Sequence, residues 1–268
     1  MDNDQPSHKD VWANGAAYEP YVGRWSRLVA PAFLSWLAVP PGNRWLDIGC
    51  GTGALTQAIL QQADPVQVKG IDRSEGYMAF ARQHTHDARA QFEVGNALAL
   101  PVESGGVDVT VSGFVLNFVS EPDRAVAEMA RVVKPGGTVA LYVWDYAGKV
   151  QFMRHFWNAA AALDPRARDL DEGRRFPLCS PRGLTGLFEA AQLHDVRVHA
   201  IDIDTDFKDF EEYWSPFLGG QGAAPAYAMT LTEEHRAALR ERLRDALPFA
   251  VDGSIPLVAR AWAVRGTR

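Results

Sequence analysis

RWLDIGCGTGAL, residues 44–55, decides the fold of this chain. A short apolar strand pattern runs into glycines at 49, 51 and 53 and then into a helical pattern, the strand–turn–helix unit that opens a nucleotide-binding α/β sheet. Gly49, Gly51 and Ala54 satisfy the G-x-G-x-x-G/A fingerprint of a dinucleotide site. Gly49, Gly51 and Gly53 equally satisfy the G-x-G-x-G turn of a methyl-donor site, so the glycines leave the cofactor open. Either ligand would use the backbone N–H groups of the turn and the positive end of the helix dipole.

The acid two residues before Gly49 discriminates between them. A carboxylate at the mouth of the site would repel a doubly negative pyrophosphate but attract the cationic groups of an aminoacyl sulfonium, so Asp47 favours S-adenosylmethionine over a nicotinamide dinucleotide. Its alternative role is to cap the following turn. Asp72 closes the next strand pattern about 21 residues after Gly51, where an acid accepts hydrogen bonds from the ribose hydroxyls of either cofactor. Its alternative is to cap the helix that begins near Ser74.

Around this unit, apolar runs bounded by Gly, Pro and Asp predict strands at 44–48, 66–71, 90–94, 107–112 and 137–144, with helices at 53–62, 74–84 and 122–133 between them. This alternation is a doubly wound parallel sheet. Pro135-Gly136-Gly137 forces a turn into the fifth strand. Beyond it, 184–193 reads as a helix, 195–204 as a strand, 233–247 as a charged helix and 255–266 as a final strand. Segments 145–180 and 206–250, rich in aromatic residues, Gly and Pro, read as insertions over one edge of the sheet, and 1–40 as an N-terminal helical cap on a single domain.

The composition narrows the partners. Twenty-seven basic against 33 acidic residues give a net charge of −6, which repels polyanions and disfavours nucleic acid. Two distant cysteines suggest neither a disulfide framework nor zinc, and point to a reducing cytoplasm. The polar N-terminus lacks the order of a signal peptide, and no run approaches the ~18 apolar residues of a membrane span.

WLDIGCGTG (45–53), GIDRS (70–74), VGNALALP (94–101), VDVTVSGFVLNFV (107–119) and RVVKPGGTVALYVWD (131–145), in this order and spacing, resemble the class I S-adenosylmethionine-dependent methyltransferases. Within that family the likeness is to the small-molecule branch that includes ubiquinone and menaquinone C-methyltransferases. The resemblance covers about residues 40–200 and implies a Rossmann-like sheet of seven strands, six parallel and the last antiparallel, with IPLVARAWAVRG as that last strand. It implies that the methionine part of the cofactor lies against Asp47, Gly49, Cys50 and Gly51, with the ribose on Asp72 and the adenine beside Arg73. Where the family has Asp-Ala after the third strand, this chain has Asn96-Ala97, whose amide carbonyl still accepts a hydrogen bond. Ser112, Gly113 and Phe114 would line the cofactor with backbone.

Methyl transfer from a sulfonium is an in-line displacement of an already activated group, so alignment and exclusion of water matter more than a dedicated base. The weak candidates for a base are His155 in the first insertion and Asn117 beyond the fourth strand; His194 and His199 flank a strand on the far side of the sheet. No clustered acids suggest a metal. Tyr18, Tyr21 and Trp25 share a helix face for cofactor contact or core packing, and Arg24 would reach the cofactor carboxylate or form a surface salt bridge. Aromatic residues of the insertions, among them Phe156, Trp157, Phe217 and Tyr227, suit a small, partly hydrophobic or aromatic acceptor, with mutual packing as their plainer role. Gly219–Gly222 offers a hinge for a lid. Two other functions compete: a nicotinamide-dependent oxidoreductase, and a protein that binds S-adenosylmethionine without turnover.

Overall fold

In the computed structural model, which describes residues 24–219 and 222–268, the strand patterns gather into one seven-stranded sheet of order 3-2-1-4-5-7-6. β1 (Arg44–Ile48) pairs in parallel with β2 (Gln67–Asp72) on one side and β4 (Val107–Gly113) on the other. β3 (Ala90–Val94) extends the sheet beyond β2, and β5 (Val133–Trp144) extends it beyond β4. β7 (Val258–Thr267) inserts antiparallel between β5 and β6 (His194–Asp204). The expected six parallel strands and antiparallel last strand are therefore the observed topology.

Strand order along the sheet reverses between the parallel neighbours β1 and β4, and the crevice above such a switch point is where open α/β sheets bind ligands. The central strands are buried on both faces and read as apolar runs for that reason; Leu46, Val111, Val139 and Leu141 are fully enclosed. Helices α2 (Ala54–Gln62), α3 (Glu75–His84) and α4 (Pro122–Val132) are the crossovers. A left-handed Gly53, φ +90°, begins α2, and the Ser74 side chain caps α3 by accepting from Tyr77 N.

α1 (Arg24–Leu37) presents Trp25, Val29, Phe33 and Leu37 along one stripe, and Phe33 lies edge-on to Tyr142 of β5 at 4.7 Å. Tyr18 and Tyr21 lie outside the described residues. Pro135-Gly136-Gly137 does not precede the fifth strand but sits inside it. Pairing with β4 jumps from Val107↔Val133 to Val109↔Thr138, so the turn is a bulge, with Gly136 at φ +80°.

Segment 145–180 forms α5 (Gln151–Leu163), a 3₁₀ turn (Pro165–Asp169) and the one-turn helix α6 (Glu172–Arg175). Next, α7 (Pro181–Ala190) starts three residues earlier than its apolar run suggested, because Ser180 caps it and Pro181 takes the first turn. Segment 206–250 forms α8 (Phe210–Trp214), a 3₁₀ turn (Ser215–Leu218), α9 (Ala223–Thr230) and α10 (Glu233–Ala246). Tyr213 Oη donates to Phe152 O at 2.8 Å, and Phe156 stacks on Phe217 at 4.5 Å, so the two segments share one aromatic core. The final strand begins at Val258 rather than 255; Ile255 makes an isolated bridge to Phe207 instead.

Candidate cofactor and acceptor site

The turn between β1 and α2 is closed by its own hydrogen bonds. Gly49 N and Cys50 N both donate to Ile71 O, Gly53 N donates to Cys50 O, and Gly51 N donates to Asp72 Oδ2 at 3.1 Å. A pyrophosphate would need such amides free to face it. Here four of them are committed inside the protein, which removes the phosphate cradle that the dinucleotide reading requires.

Each glycine has its own reason. At Gly49, φ +70°, a Cβ would lie 2.5 Å from the Val115 side chain. At Gly51, φ +52°, a Cβ would meet no atom of the described residues within 4 Å, so among them this glycine borders open space above the switch point. Cys50 turns its thiol away from that space into a small cluster with Met78, Ala81, Tyr77 and Phe92, leaving only its backbone at the turn.

Asp47 does not stand at the mouth of the site as its charge argument assumed. It is 0% exposed beneath the turn, where Thr56 Oγ1 donates to its Oδ2 at 2.7 Å. Burial, with the Asp72 charge as a lesser contribution, pushes its carboxyl up to about 7 against the lowering effect of the Thr56 hydrogen bond. Its other oxygen, Oδ1, is buried and finds no partner among the described residues. A strand-end carboxyl with one empty acceptor in a dry site asks for a donor, and an ammonium group reached directly or through water is such a donor.

Asp72 bridges the turn to β2. Its Oδ1 accepts from Ser74 N and its Oδ2 from Gly51 N, which orients both oxygens and leaves each a further lone pair at a half-buried position. The capping role falls to Ser74. Arg73 beside it is exposed. Asn96 is exposed and folds its Oδ1 onto Leu98 N at 3.0 Å, with Ala97 half-buried behind it.

At the end of β4, Ser112 Oγ donates to Ile48 O at 2.7 Å and locks the two central strands together. Gly113 packs against the Tyr142 ring, where a Cβ would come within 2.5 Å of the hydroxyl. Phe114 adopts φ +58°, a left-handed conformation unusual for a bulky residue, and is held there by stacking on Trp144 at 4.0 Å. That kink throws the chain into a 3₁₀ turn, Leu116–Phe118, beside the glycine turn. Both amide atoms of Asn117 in this turn are buried and lack a hydrogen-bond partner among the described residues. Phe118 meets Phe176 edge-on at 5.4 Å, and Phe176 also contacts Tyr146 at 5.5 Å.

Arg24 donates through Nη1 to Glu212 Oε1 at 2.6 Å and lies over the rings of Trp25 and Phe207. Its Nε and Nη2, the edge that takes a carboxylate in bidentate fashion, are buried without a partner among the described residues. His155 is half-buried on α5, and burial lowers its proton affinity. His194 and His199 are exposed, the latter stacked on Trp36. Phe156, Trp157, Phe217 and Tyr227 are buried against one another. The described residues hold no group of three or more His, Cys, Asp or Glu suited to a metal, and no helix among them is long and apolar enough to cross a membrane. A groove of about 580 Å³ lies at the opposite end of β1, β4 and β5, lined by Pro41, Lys134 and Arg265 among others, remote from the glycine turn.

Sequence reasoning missed one titratable group. Glu172 is 6% exposed, and burial raises its carboxyl to about 7. It sits in a charged run, DLDEGRR, that looks solvated on paper.

A glycine turn closed on itself, a buried acid below it and a second acid at the end of β2 lie together at the carboxyl ends of the central strands, with the turn's amides already bonded rather than free for a pyrophosphate. The chain belongs to the class I S-adenosylmethionine-dependent methyltransferases. A methyltransferase-domain family model matches residues 46–141. A demethylmenaquinone methyltransferase of Bacillus licheniformis is 32% identical over 60% of this chain and 75% of its own length. A ubiquinone/menaquinone biosynthesis C-methyltransferase of Cereibacter sphaeroides is 35% identical over 41% of this chain, which spans 46% of that relative's length. In fold, the chain superposes with a phosphoethanolamine N-methyltransferase of Haemonchus contortus bound to S-adenosyl-L-methionine, at TM-score 0.61 and 15% identity, over 100% of this chain and 61% of that one. The cofactor is S-adenosylmethionine.

Proposed function

We propose that the chain transfers the methyl group of S-adenosylmethionine to a small aromatic acceptor bearing hydroxyl groups, of the quinol type. The observation that carries this reading is Asn117, a buried amide with no hydrogen-bond partner among the described residues, next along the chain to Phe118, which with Phe176 and Tyr146 forms an aromatic surface at the cofactor end of the sheet. Such a patch holds a flat ring between apolar faces and orients it through one polar contact. The relative from Bacillus licheniformis is named for a demethylated quinone, which agrees with that chemistry.

The residues present fit the cofactor. Asp47 Oδ1 supplies the acceptor for the methionine ammonium, the edge of Arg24 that has no partner among the described residues suits its carboxylate, and Asp72 suits the two ribose hydroxyls. In this reading Gly49, Cys50 and Gly51 contribute backbone, Arg73, Asn96 and Ala97 flank the adenine, and Ser112, Gly113 and Phe114 close the floor; Tyr21 belongs to the same proposed set. Bound there, S-adenosylmethionine supplies a methyl group already activated by its sulfonium. The chain's own task is to align the acceptor and keep water out. The insertions, 145–180 and 206–250, would form the acceptor wall, while the aromatic residues at their core hold them together. The chain's charge of −6 and its two free cysteines fit a cytoplasmic enzyme acting on small molecules rather than nucleic acid.

Incubation with methyl-labelled cofactor and chemically reduced 1,4-naphthoquinone, alongside simple phenols and amines, tests the acceptor. Label is expected on the naphthohydroquinone, and labelling confined to amines refutes the proposal. Asn117→Ala should raise the KM for the quinol about tenfold, the effect of roughly one lost hydrogen bond.

A further inference from the structure

Transfer of a methyl cation to a hydroxyl-bearing ring releases a proton, and of the histidines, His194 and His199 are exposed on β6, the far edge of the sheet. Glu172 lies nearer the cofactor end. It opens α6, and Phe176 N donates back to Glu172 O, so the two residues lie one helical turn apart on the same face. Phe176 reaches Phe118, the neighbour of Asn117. Gly173 packs against Ala147 and Tyr146, directly after β5, so closely that a Cβ would lie 2.9 Å from Ala147 Cα. The turn therefore lies across the cofactor ends of β4 and β5, with Glu172 one helical turn from Phe176 and its carboxyl beneath Trp157.

The carboxyl is held but not neutralised. Trp157 Nε1 donates to Oε2, the one side-chain hydrogen bond to Glu172 among the described residues. From its own turn, Asp171 and Arg175 act on it with opposite sign, and Arg175 lies over the Phe176 ring. From α5, Arg154 is committed to Asp171, and His155 is the next residue along. From the 3₁₀ turn before it, Arg166 is committed to Asp164. No cation binds the carboxyl directly among the described residues, which leaves it able to accept and release a proton near neutral pH.

We propose that Glu172 is the proton acceptor of the methyl transfer, a role that rests on the hydroxylated-ring reading above. The acceptor's O–H bond breaks and its proton passes to a Glu172 carboxylate oxygen. The electron pair so freed drives the new bond to the methyl carbon, through oxygen or through the adjacent ring carbon, which then forms as its keto tautomer. The carbon–sulfur bond breaks with its pair returning to sulfur. A neutral thioether and a protonated carboxyl remain.

The test uses the full chain saturated with S-adenosylhomocysteine and titrated with 4-nitrophenolate at pH 8 by calorimetry in buffers of different ionisation heat. The phenolate stands in for the deprotonated acceptor, and seating it beside Glu172 should draw about one proton from solvent per probe bound. Glu172→Gln keeps an acceptor for Trp157 and should abolish that uptake, with the near-ultraviolet dichroism of the fold as control. Trp157→Phe removes the hydrogen bond and keeps the base, so the uptake should persist to higher pH than in wild type. With reduced 1,4-naphthoquinone as acceptor, Glu172→Gln should lower kcat 10²–10³-fold and erase the acid limb of its pH profile. No binding of the phenolate, no uptake in wild type, or equal uptake in wild type and Glu172→Gln overturns the role of Glu172. Failure of wild type to methylate the naphthohydroquinone overturns the quinol reading instead, since the calorimetric result does not depend on turnover.

Discussion

Gly49 and Gly51 stand two residues apart in one turn and answer to different constraints. Gly49 is fixed by the Val115 side chain and a positive φ, so Gly49→Ala should destabilise the fold by roughly 1–3 kcal/mol in urea denaturation, the range for overpacking and backbone strain. Gly51→Ala carries the φ strain but meets open space, so it should cost the fold about 1 kcal/mol while lowering S-adenosylmethionine affinity at least tenfold in calorimetric titration. Equal losses of binding and stability in both variants would contradict this division. Asp47 shows a similar separation of roles. Its folded carboxyl titrates near 7 against an unfolded value near 3.8, so the folded state holds a proton that the unfolded state has released between those values, and stability from this group falls as pH rises through that window. Asp47→Asn should therefore raise the Tm of the unliganded protein at pH 8 and weaken cofactor binding at the same pH. Differential scanning fluorimetry with and without cofactor reads both.

Among the elements, the strands and crossover helices of residues 44–144 were legible because each carries its own period and its own stop signal. Ser74 before α3 and Pro122 at the start of α4 are local features that need no distant partner. The insertions were not legible in the same way. The order in which Phe156, Trp157, Phe217 and Tyr227 pack depends on which helices meet, and their spacing along the chain does not encode that. Their burial assigns them to cohesion. Phe156→Ala should cost about 3–5 kcal/mol in denaturant unfolding. Phe217→Ala should be similar, and the pair should be non-additive because the two rings stack on each other. The tie between α1 and α8 is weaker. Arg24 and Glu212 are each about 30% exposed, so Glu212→Gln should change stability by less than about 1 kcal/mol.

For the whole molecule, two carboxyls with raised proton affinity, Asp47 and Glu172, make the unliganded protein lose stability as pH climbs from about 4 to 7. Asp202, lowered to about 2 by Arg260 and Lys149, contributes in the opposite sense, its stabilisation fading as pH falls below about 4. A stability maximum near pH 4 follows from these groups, and the double variant Asp47→Asn/Glu172→Gln should flatten its alkaline side in a series of thermal melts. Ligand linkage bears on the same scale. S-adenosylhomocysteine at 100 times its Kd should add about 2.7 kcal/mol, several degrees in Tm, whereas NAD should add nothing because the amides of the turn are already bonded.

By itself the sequence determined the sheet, its switch point and the family, because a strand–glycine turn–helix unit and the ordered motifs that follow it are local patterns of period and punctuation. Only the tertiary structure decided how the acids act. Asp47 lies beneath the turn as a buried carboxyl with one acceptor unpartnered among the described residues, and Glu172, in a run that looks like charged surface, is enclosed under Trp157. The proton affinity of a carboxyl depends on the solvent it loses and the partners it gains on folding, and both are set by how the elements pack rather than by the residues on either side of it.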